Sequence, residues 1–293
     1  MTAIDLPNAS PTPGRLRRNA MSPVVALSAG FLVLVVLVAL LADWLAPLPY
    51  TAQNLAARLK PPMTEAGGTT YWLGTDQLGR DILSRMIFAV RSSILIAVMG
   101  TLIGAVVGTF LGFVAARLRG FVDQAIMMLA DAQAAIPALF LALTMLAFFG
   151  NNIVLFIILV SIDGWDRYTR LARGLVVSEQ ESDYINAIEA LGAKPARVVL
   201  RHLLPNIAAA LVVQATLNFP GTILLETSLS FLGLGVQPPG TSLGLMLGEG
   251  RRYLLNAWWI AVFPGLAIFL TTLSMSLFGD WLRDRFDPTS ERH

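Results

Sequence analysis

The chain has 293 residues, 55% of them hydrophobic and 14% charged, with a formal net charge of +2. A water-soluble domain carries about 25% charged residues, so lipid is the main solvent here, and so small a net charge leaves no footprint for nucleic acid. There is no cysteine, which excludes disulfides, thiol chemistry and thiolate metal sites.

In chain order, residues 1–23 are rich in Pro, Ser, Ala and Arg and read as a disordered tail. Residues 24–46 are nearly all Val, Leu and Ala, the length of a spanning helix. The rival reading is a cleaved signal peptide, because Arg15, Arg17 and Arg18 precede the run. The run exceeds the ~7–15 residues of such a segment, and Pro47 and Pro49 read as a helix stop. Residues 47–91 form an extramembrane loop with some local structure. Further spans are expected at about 92–116, 121–149, 153–171, 207–229 and 258–282. Gly150-Asn151-Asn152 makes a turn between the third and fourth, and polar segments at 173–206 and 233–250 flank the fifth. With both termini inside, the inner segments hold fourteen Lys and Arg and the outer segments seven, the bias of the positive-inside rule. Trp44, Trp258, Trp259 and Trp281 fall near span ends, where interfacial anchors belong.

Four glycines in the second span, Gly100, Gly104, Gly108 and Gly112, recur every fourth residue. They form one smooth ridge for close packing on another helix of this chain or of a partner. In the segment 173–206, Ser182 suits a helix cap and Asp183 its first turn. Tyr184, Ala187, Ile188 and Leu191 then share one face, with Asn186 and Glu189 elsewhere. Gly192 suits the left-handed residue that ends a helix, and Pro195 and Pro205 suit the first turns of two more. A short amphipathic helix so placed lies on lipid headgroups or docks in a groove on a partner. Asp131 and Glu226 lie within predicted spans, as a pathway contact or an interhelical polar pair. Asp163/Arg167 and Asp166/Arg170 have the spacing of helix-face ion pairs. Neither Lys60 nor Lys194 has the Gly-x-x-x-x-Gly spacing of a phosphate-binding loop, so any drive by ATP needs a separate subunit. The two histidines, His202 in this polar segment and His293 at the last position, give no support to intramembrane hydrolysis.

The stretch Asn186-Ala-Ile-Glu-Ala-Leu-Gly192, followed by His202-Leu-Leu-Pro205-Asn206, resembles the EAA loop of bacterial ABC importer permeases. Ala187, Gly192, Leu204 and Pro205 match the family spacing, while Asn186 stands for the usual Glu and Ile188 for the second Ala. The segment from Leu73 through Asp76, Gly79, Arg80 and Asp81 to Arg85 is similar to the signature of the second, C-type permease of the dipeptide/oligopeptide/nickel branch. So are Glu226 to Pro239, Phe263 to Leu266, and Gly279 to Asp284 with Asp287-Pro288. Departures are Met128 for Arg, Ala89 for Gly, Leu243 for Trp and Ser276 for Asn.

The resemblance covers about residues 20–288 and implies an all-α, polytopic transmembrane fold of about six helices, the ABC importer permease (MetI-like) fold. The domain division expected is a cytoplasmic tail at 1–23, a permease domain at 24–288 with its coupling loop at 173–206, and a tail at 289–293. In the family, the coupling helix sits in a cleft of the cytoplasmic ATPase; here Tyr184, Asn186, Ala187, Ile188, Glu189, Gly192, Leu204 and Pro205 would form that contact. Asp76, Arg80, Asp81 and Gln237 are candidates for receiving a binding protein at the outer mouth. The implied partners are a homologous second permease, two ATP-binding subunits that use ATP and Mg, an extracytoplasmic solute-binding protein, and membrane lipid. No cofactor or metal is expected on this chain, and no catalysis of its own. The implied location is the bacterial inner membrane, multi-pass, and the implied solutes are di- and oligopeptides, with nickel chelates, glutathione, opines or oligosaccharides as alternatives. An ion-coupled secondary transporter would instead show inverted repeats with broken helices, and no clear internal repeat is seen. A purely structural membrane protein would tolerate loss of the coupling helix.

Overall fold

The computed structural model describes residues 21–286. The expected tail at 1–23, except its last three residues, and the tail at 289–293 lie outside the described residues. Helix α1 (Pro23–Leu40) starts at Ser22, whose hydroxyl accepts the Val25 amide, with Pro23 in the first turn. Only Ser28, Val35 and Ala39 are buried along it, which leaves an apolar surface for lipid. A short α2 (Ala42–Leu45) follows, tied to the next long helix by Asp43 and Arg91 at 2.8 Å. The loop beyond carries a hairpin, β1 (Thr64–Ala66) against β2 (Thr69–Tyr71), with Thr64 opposite Tyr71. Gly67 and Gly68 both have positive φ, as the two-residue hairpin turn demands.

Helix α3 (Ile82–Leu118) is capped by Asp81, whose carboxylate accepts the Ser84 amide at 2.8 Å. Its 37 residues span about 55 Å, against a hydrocarbon core of about 30 Å, so its ends reach beyond the lipid tails. Helices α4 (Gly120–Ala135) and α5 (Ala138–Phe149) form a pair bent by 90°. The break falls at Ile136-Pro137: proline has no amide to donate and pushes the residue before it out of helical geometry, and Ile136 is extended. Helix α6 (Ile153–Ile162) is capped by Asn152 and ends before Gly164, which has φ +95° and opens α7 (Trp165–Gln180).

After α8 (Asp183–Ala190), a continuous run consists of α9 (Pro195–Val198), one wide π turn (Val199–Leu203) and α10 (Leu204–Phe231). Then come α11 (Leu243–Gly250), a tight turn Arg251–Tyr253, and α12 (Trp259–Phe286). Among the described residues, four helical runs are long and apolar enough to span: α1, α3, α9–α10 and α12. The bent α4–α5 pair makes a fifth if it is taken as one span, and α6 is a shorter apolar helix. Two of the expected spans therefore differ from straight rods. The third is kinked by proline, and the fourth, read as 153–171, is divided at Gly164. Pro205 sits in the first turn of α10, as expected, and α10 runs on from the π turn without a break.

The glycine ridge of α3 is a packing face within this chain. Gly100, Gly104, Gly108 and Gly112 are all buried. A methyl group added at Gly104 would lie 2.8 Å from the Ser161 carbonyl, and at Gly108 2.3 Å from the Trp165 carbonyl. At Gly112 it would meet the Thr169 carbonyl and the Ala172 side chain, both at 2.7 Å. The Thr169 hydroxyl donates to the Gly108 carbonyl at 3.0 Å, a bond across helices made possible by this approach. Leu95, Leu102, Val106 and Phe110 of α3 stay exposed.

Four apolar clusters sit along α3, a small one being Ala97 with Phe219 and Ile223. At its first end, Ile82 and Ala89 pack with Leu243, Met246, Trp259 and Ile260. In the middle, Ile96 packs with Phe156, Val160, Leu225 and Leu229. At its last end, Phe113 and Ala116 pack with Val176, Ile185, Val198 and Ile207. Gly108→Ala forces α3 off the α6–α7 junction and is expected to destabilise by about 1–3 kcal/mol. Gly30→Ala on α1, where nothing lies within 4 Å, should be neutral or slightly stabilising. Thermal melts of the two purified variants in one detergent check the contrast.

Candidate functional site

At the α8 end of the molecule, the Ser182 hydroxyl stands 3.5 Å from the Ile185 amide, in the capping position. Gly192 adopts φ +82° directly after the helix, and the Ala193 amide returns to the Ile188 carbonyl at 3.3 Å. Ile185 is buried between α3, α7 and the α9–α10 run, with Ile188 packed beside it. Tyr184, Asn186, Ala187 and Leu191 face away from the protein, Leu191 with 88% of its surface exposed. The face expected from the sequence is thus split. Ile188 turns inward with Ile185, a residue the face assignment missed, while Tyr184, Ala187 and Leu191 form an outward ridge. Glu189 belongs to the same helix, and its side chain lies outside the described residues. Tyr184 Oη meets His202 Nδ1 at 2.8 Å, which ties α8 to the π turn. Leu204 packs on the cluster beneath, beside Pro205.

Two ionic clasps join α4 to α7 near this end. Arg173 grips Asp123 with two bonds of 2.5 and 2.6 Å, the bidentate geometry of a strong guanidinium–carboxylate pair. Arg170 meets Asp131 at 2.8 Å and also pairs with Asp166 on its own helix. Asp131 is an interhelical partner, with 73% of its side chain exposed on this chain. Asp166/Arg170 is the helix-face pair expected from spacing. Arg167 departs from its expected pairing with Asp163: its guanidinium donates to Asn218 Oδ1 at 2.6 Å. Asn218 is buried against Gly164, where an added methyl would stand 2.3 Å from its amide nitrogen.

The opposite end is built on a buried charge cluster. Asp76, with none of its surface exposed, accepts from the Leu78 and Arg80 amides at 2.8 and 2.9 Å. Its other oxygen takes both Arg80 and Arg85 at 2.6 Å. Arg85, 1% exposed, also reaches Glu249 of α11 at 2.9 Å, and Arg80 reaches it at 3.3 Å. Trp259 Nε1 donates to the Thr75 carbonyl at 3.0 Å, so α12 is pinned to the same loop.

This overturns two expectations. Asp76 and Asp81 are buried structural groups, spent on folding the loop and capping α3, and present nothing to a docking protein. Trp259 is a core residue, whereas Trp44 and Trp258 remain exposed as anchors should; Trp281 is half-buried against Phe278. Arg80 is largely enclosed, and Gln237 is exposed with its amide folded back on the Gly233 carbonyl at 2.9 Å. Glu226 is fully buried and accepts from the Ser230 hydroxyl at 2.9 Å on its own helix. The sequence reading missed Glu249; its only local signal is an acid beside two arginines in a Gly-rich loop, which does not name Arg85 as partner.

Four helical runs long and apolar enough to cross a membrane, with a short exposed helix held at one end, are the build of a polytopic membrane protein. A family profile described as "Binding-protein-dependent transport system inner membrane component" matches residues 104–292, and "N-terminal TM domain of oligopeptide transport permease C" matches 15–62. The dipeptide transport system permease protein DppC of Escherichia coli K12 is 44% identical over 88% of this chain and 86% of its own length. The di/tripeptide permease DppC of Pseudomonas aeruginosa is 41% identical over the same shares. The glutathione permease GsiD of Shigella flexneri is 39% identical over 94% of this chain and 88% of its own. Among solved structures, the MetNI methionine ABC transporter in inward facing conformations matches with a TM-score of 0.56 at 18% identity, over 70% of this chain and 98% of that one. This chain therefore belongs to the inner-membrane components of binding-protein-dependent transport systems, in the dipeptide/oligopeptide branch of ABC importer permeases.

Asp76→Asn leaves buried Arg80 and Arg85 under-compensated and is expected to cost about 3–5 kcal/mol. Asp131→Asn breaks an exposed pair and should cost less than about 1 kcal/mol. Unfolding temperature and the yield of inserted protein read the difference.

Proposed function

We propose that this permease subunit forms, with a homologous second permease, the uptake pathway for di- and oligopeptides. Two separate ATP-binding subunits, using ATP and Mg, energise it, and an extracytoplasmic binding protein delivers the solute. Both termini and α8 lie on the cytoplasmic side, which the distribution of Lys and Arg supports. The observation that carries the coupling role is the geometry of α8. Ile185 and Ile188 bolt it to α3, α7 and α10, while Tyr184, Ala187 and Leu191 stay exposed for a partner. A rigid helix packed on two spans converts displacement of a docked ATPase into displacement of those spans; a floppy loop would absorb it. Peptide as solute is supported by the names of the relatives at 41–44% identity. Glutathione, itself a small peptide, is the second reading, supported by the relative at 39%.

Proline at 192 cannot adopt the φ of +82° found there. Gly192→Pro and Leu191→Glu are each expected to insert and to assemble with the second permease, yet to lose ATP-driven dipeptide uptake by about tenfold or more, a loss of roughly 1.4 kcal/mol in coupling. Uptake at the wild-type rate by both variants, assayed in proteoliposomes with all subunits present, would remove α8 from the coupling role.

A further inference from the structure

Helix α4 is attached to the body of the protein differently from its neighbours. Among the described residues it contributes to none of the four apolar clusters, whereas α5, the next helix, places Ala142 and Leu146 in the middle one. Only Ile126 and Ala130 of its 16 residues are buried. Both of its ends are breaks in the helical backbone. Before it, Arg119 and Gly120 have φ of +48° and +55°, and a methyl group added at Gly120 would meet nothing within 4 Å. After it, Ile136 is extended ahead of Pro137 and the chain bends by 90°. Between these two breaks, the clasps Asp123–Arg173 and Asp131–Arg170 bind α4 to α7.

Both clasps can open without stranding a buried charge. Arg170 keeps Asp166 on its own helix when it lets go of Asp131, and Asp131 is 73% exposed. Arg173 is 37% exposed. An exposed ion pair is worth about 1 kcal/mol or less, and the bidentate Asp123–Arg173 pair is the stronger of the two. This hold is reversible, whereas α3 meets α7 backbone against side-chain-free backbone. The clasps also stand where motion arrives, because α7 passes into α8 through Glu181 and Ser182 alone. Arg170 follows Thr169, which is bonded to Gly108 within the apolar run of α3. Asp131 therefore lies at membrane depth, where a charge faces water or protein rather than lipid; exposed Val106 and Phe110 mark the lipid side. We propose that α4 is a hinged strap in the wall of the solute pathway, turning about Gly120 and Pro137, and that Arg170 and Arg173 are the latch that releases it and takes it back in each transport cycle. The proposal rests on the reading of α8 as the helix through which the ATPase acts.

The test uses the complete transporter, both permeases with their ATPases, in lipid nanodiscs, and measures distances between spin labels by double electron–electron resonance. This chain has no cysteine, so labels go only where cysteine is introduced, with the other subunits made cysteine-free. One pair is Met128→Cys on α4 with Ser178→Cys on α7; a control pair is Val106→Cys on α3 with Ser178→Cys, all at exposed positions. With the latch intact, vanadate-trapped nucleotide should move the α4–α7 distance by about 5 Å, the scale of a one-turn shift, and leave the α3–α7 distance unchanged. Asp123→Asn/Asp131→Asn, carrying the same labels, should show the moved α4–α7 distance without nucleotide, and its unchanged α3–α7 distance shows that it is folded. An α4–α7 distance that is the same with and without trapped nucleotide overturns the proposal, since α4 then rides with α7. So does a double variant that matches the intact latch under both conditions, or an α3–α7 distance that moves as much as the α4–α7 one. Leu191→Glu separates this proposal from the role of α8. It should abolish the response to nucleotide and leave the effect of the double variant in place. A full nucleotide response in Leu191→Glu removes α8 from the coupling role while the strap stands.

Discussion

Backbone meets backbone where α3 passes the junction of α6 and α7, and the rest of the molecule depends on that approach. Lipid tails are as apolar as leucine, so two helices in a membrane gain little by hiding apolar surface from each other. They gain from short-range dispersion and from polar bonds that only a close approach allows. Four glycines on one side of α3 permit it, and carbonyl oxygens of Ser161, Trp165 and Thr169 occupy the space that side chains would take. On the other side of the contact, Gly164 turns the chain between α6 and α7, and buried Asn218 closes over it. The division of this predicted span and the glycine ridge are two halves of one fit.

From this contact the two ends of α3 are organised by different chemistry. At the α11 end, Asp76, Arg80, Arg85 and Glu249 form a largely buried charge cluster, with the Leu78 and Arg80 amides satisfying the second oxygen of Asp76. Such a cluster adds little net stability over an apolar core but strongly penalises any arrangement that separates its members. It thereby holds the loop, α3 and α11 in one geometry. At the α8 end, the joint is apolar, with Ile185 and Ile188 seated among Phe113, Val176, Val198 and Leu203. Apolar contacts are non-directional, so the hold on α8 comes from how closely these side chains are packed. The clasps from Arg170 and Arg173 to α4 sit beside it and carry most of their exposure to the surface. One long helix thus carries a directional charged joint at one end and an apolar joint at the other.

The exposed ridge of Tyr184, Ala187 and Leu191 is meaningful because its neighbours on the same helix are buried. An eight-residue helix in water is marginal by itself. Here a capping serine, a left-handed glycine and the anchored isoleucines hold it in place, so the docking proposed for it would lose less ordering entropy.

Much of this was legible in the sequence because the signals are local. Long apolar runs specify helices that cross lipid, four glycines in register specify a face that something must approach, and Ser182 and Gly192 bracket α8 by the geometry of helix ends. Family membership was legible in the motifs from Leu73 to Arg85 and from Asn186 to Asn206. Pro137 and Gly164 were visible as breakers, but hydropathy averaged over a window passes across them, so the bend and the division were read as continuous spans. What tertiary structure alone decided is partnership. Nothing near Asp76 says that it faces inward to Arg85, nothing near Arg167 says that it prefers Asn218 over the acid one turn away, and amphipathic spacing does not say which apolar residues of α8 are the anchor and which the ridge. Those choices depend on distances between segments far apart in the chain, and burial of a charge or an isoleucine is a property of the assembled neighbourhood rather than of the residue.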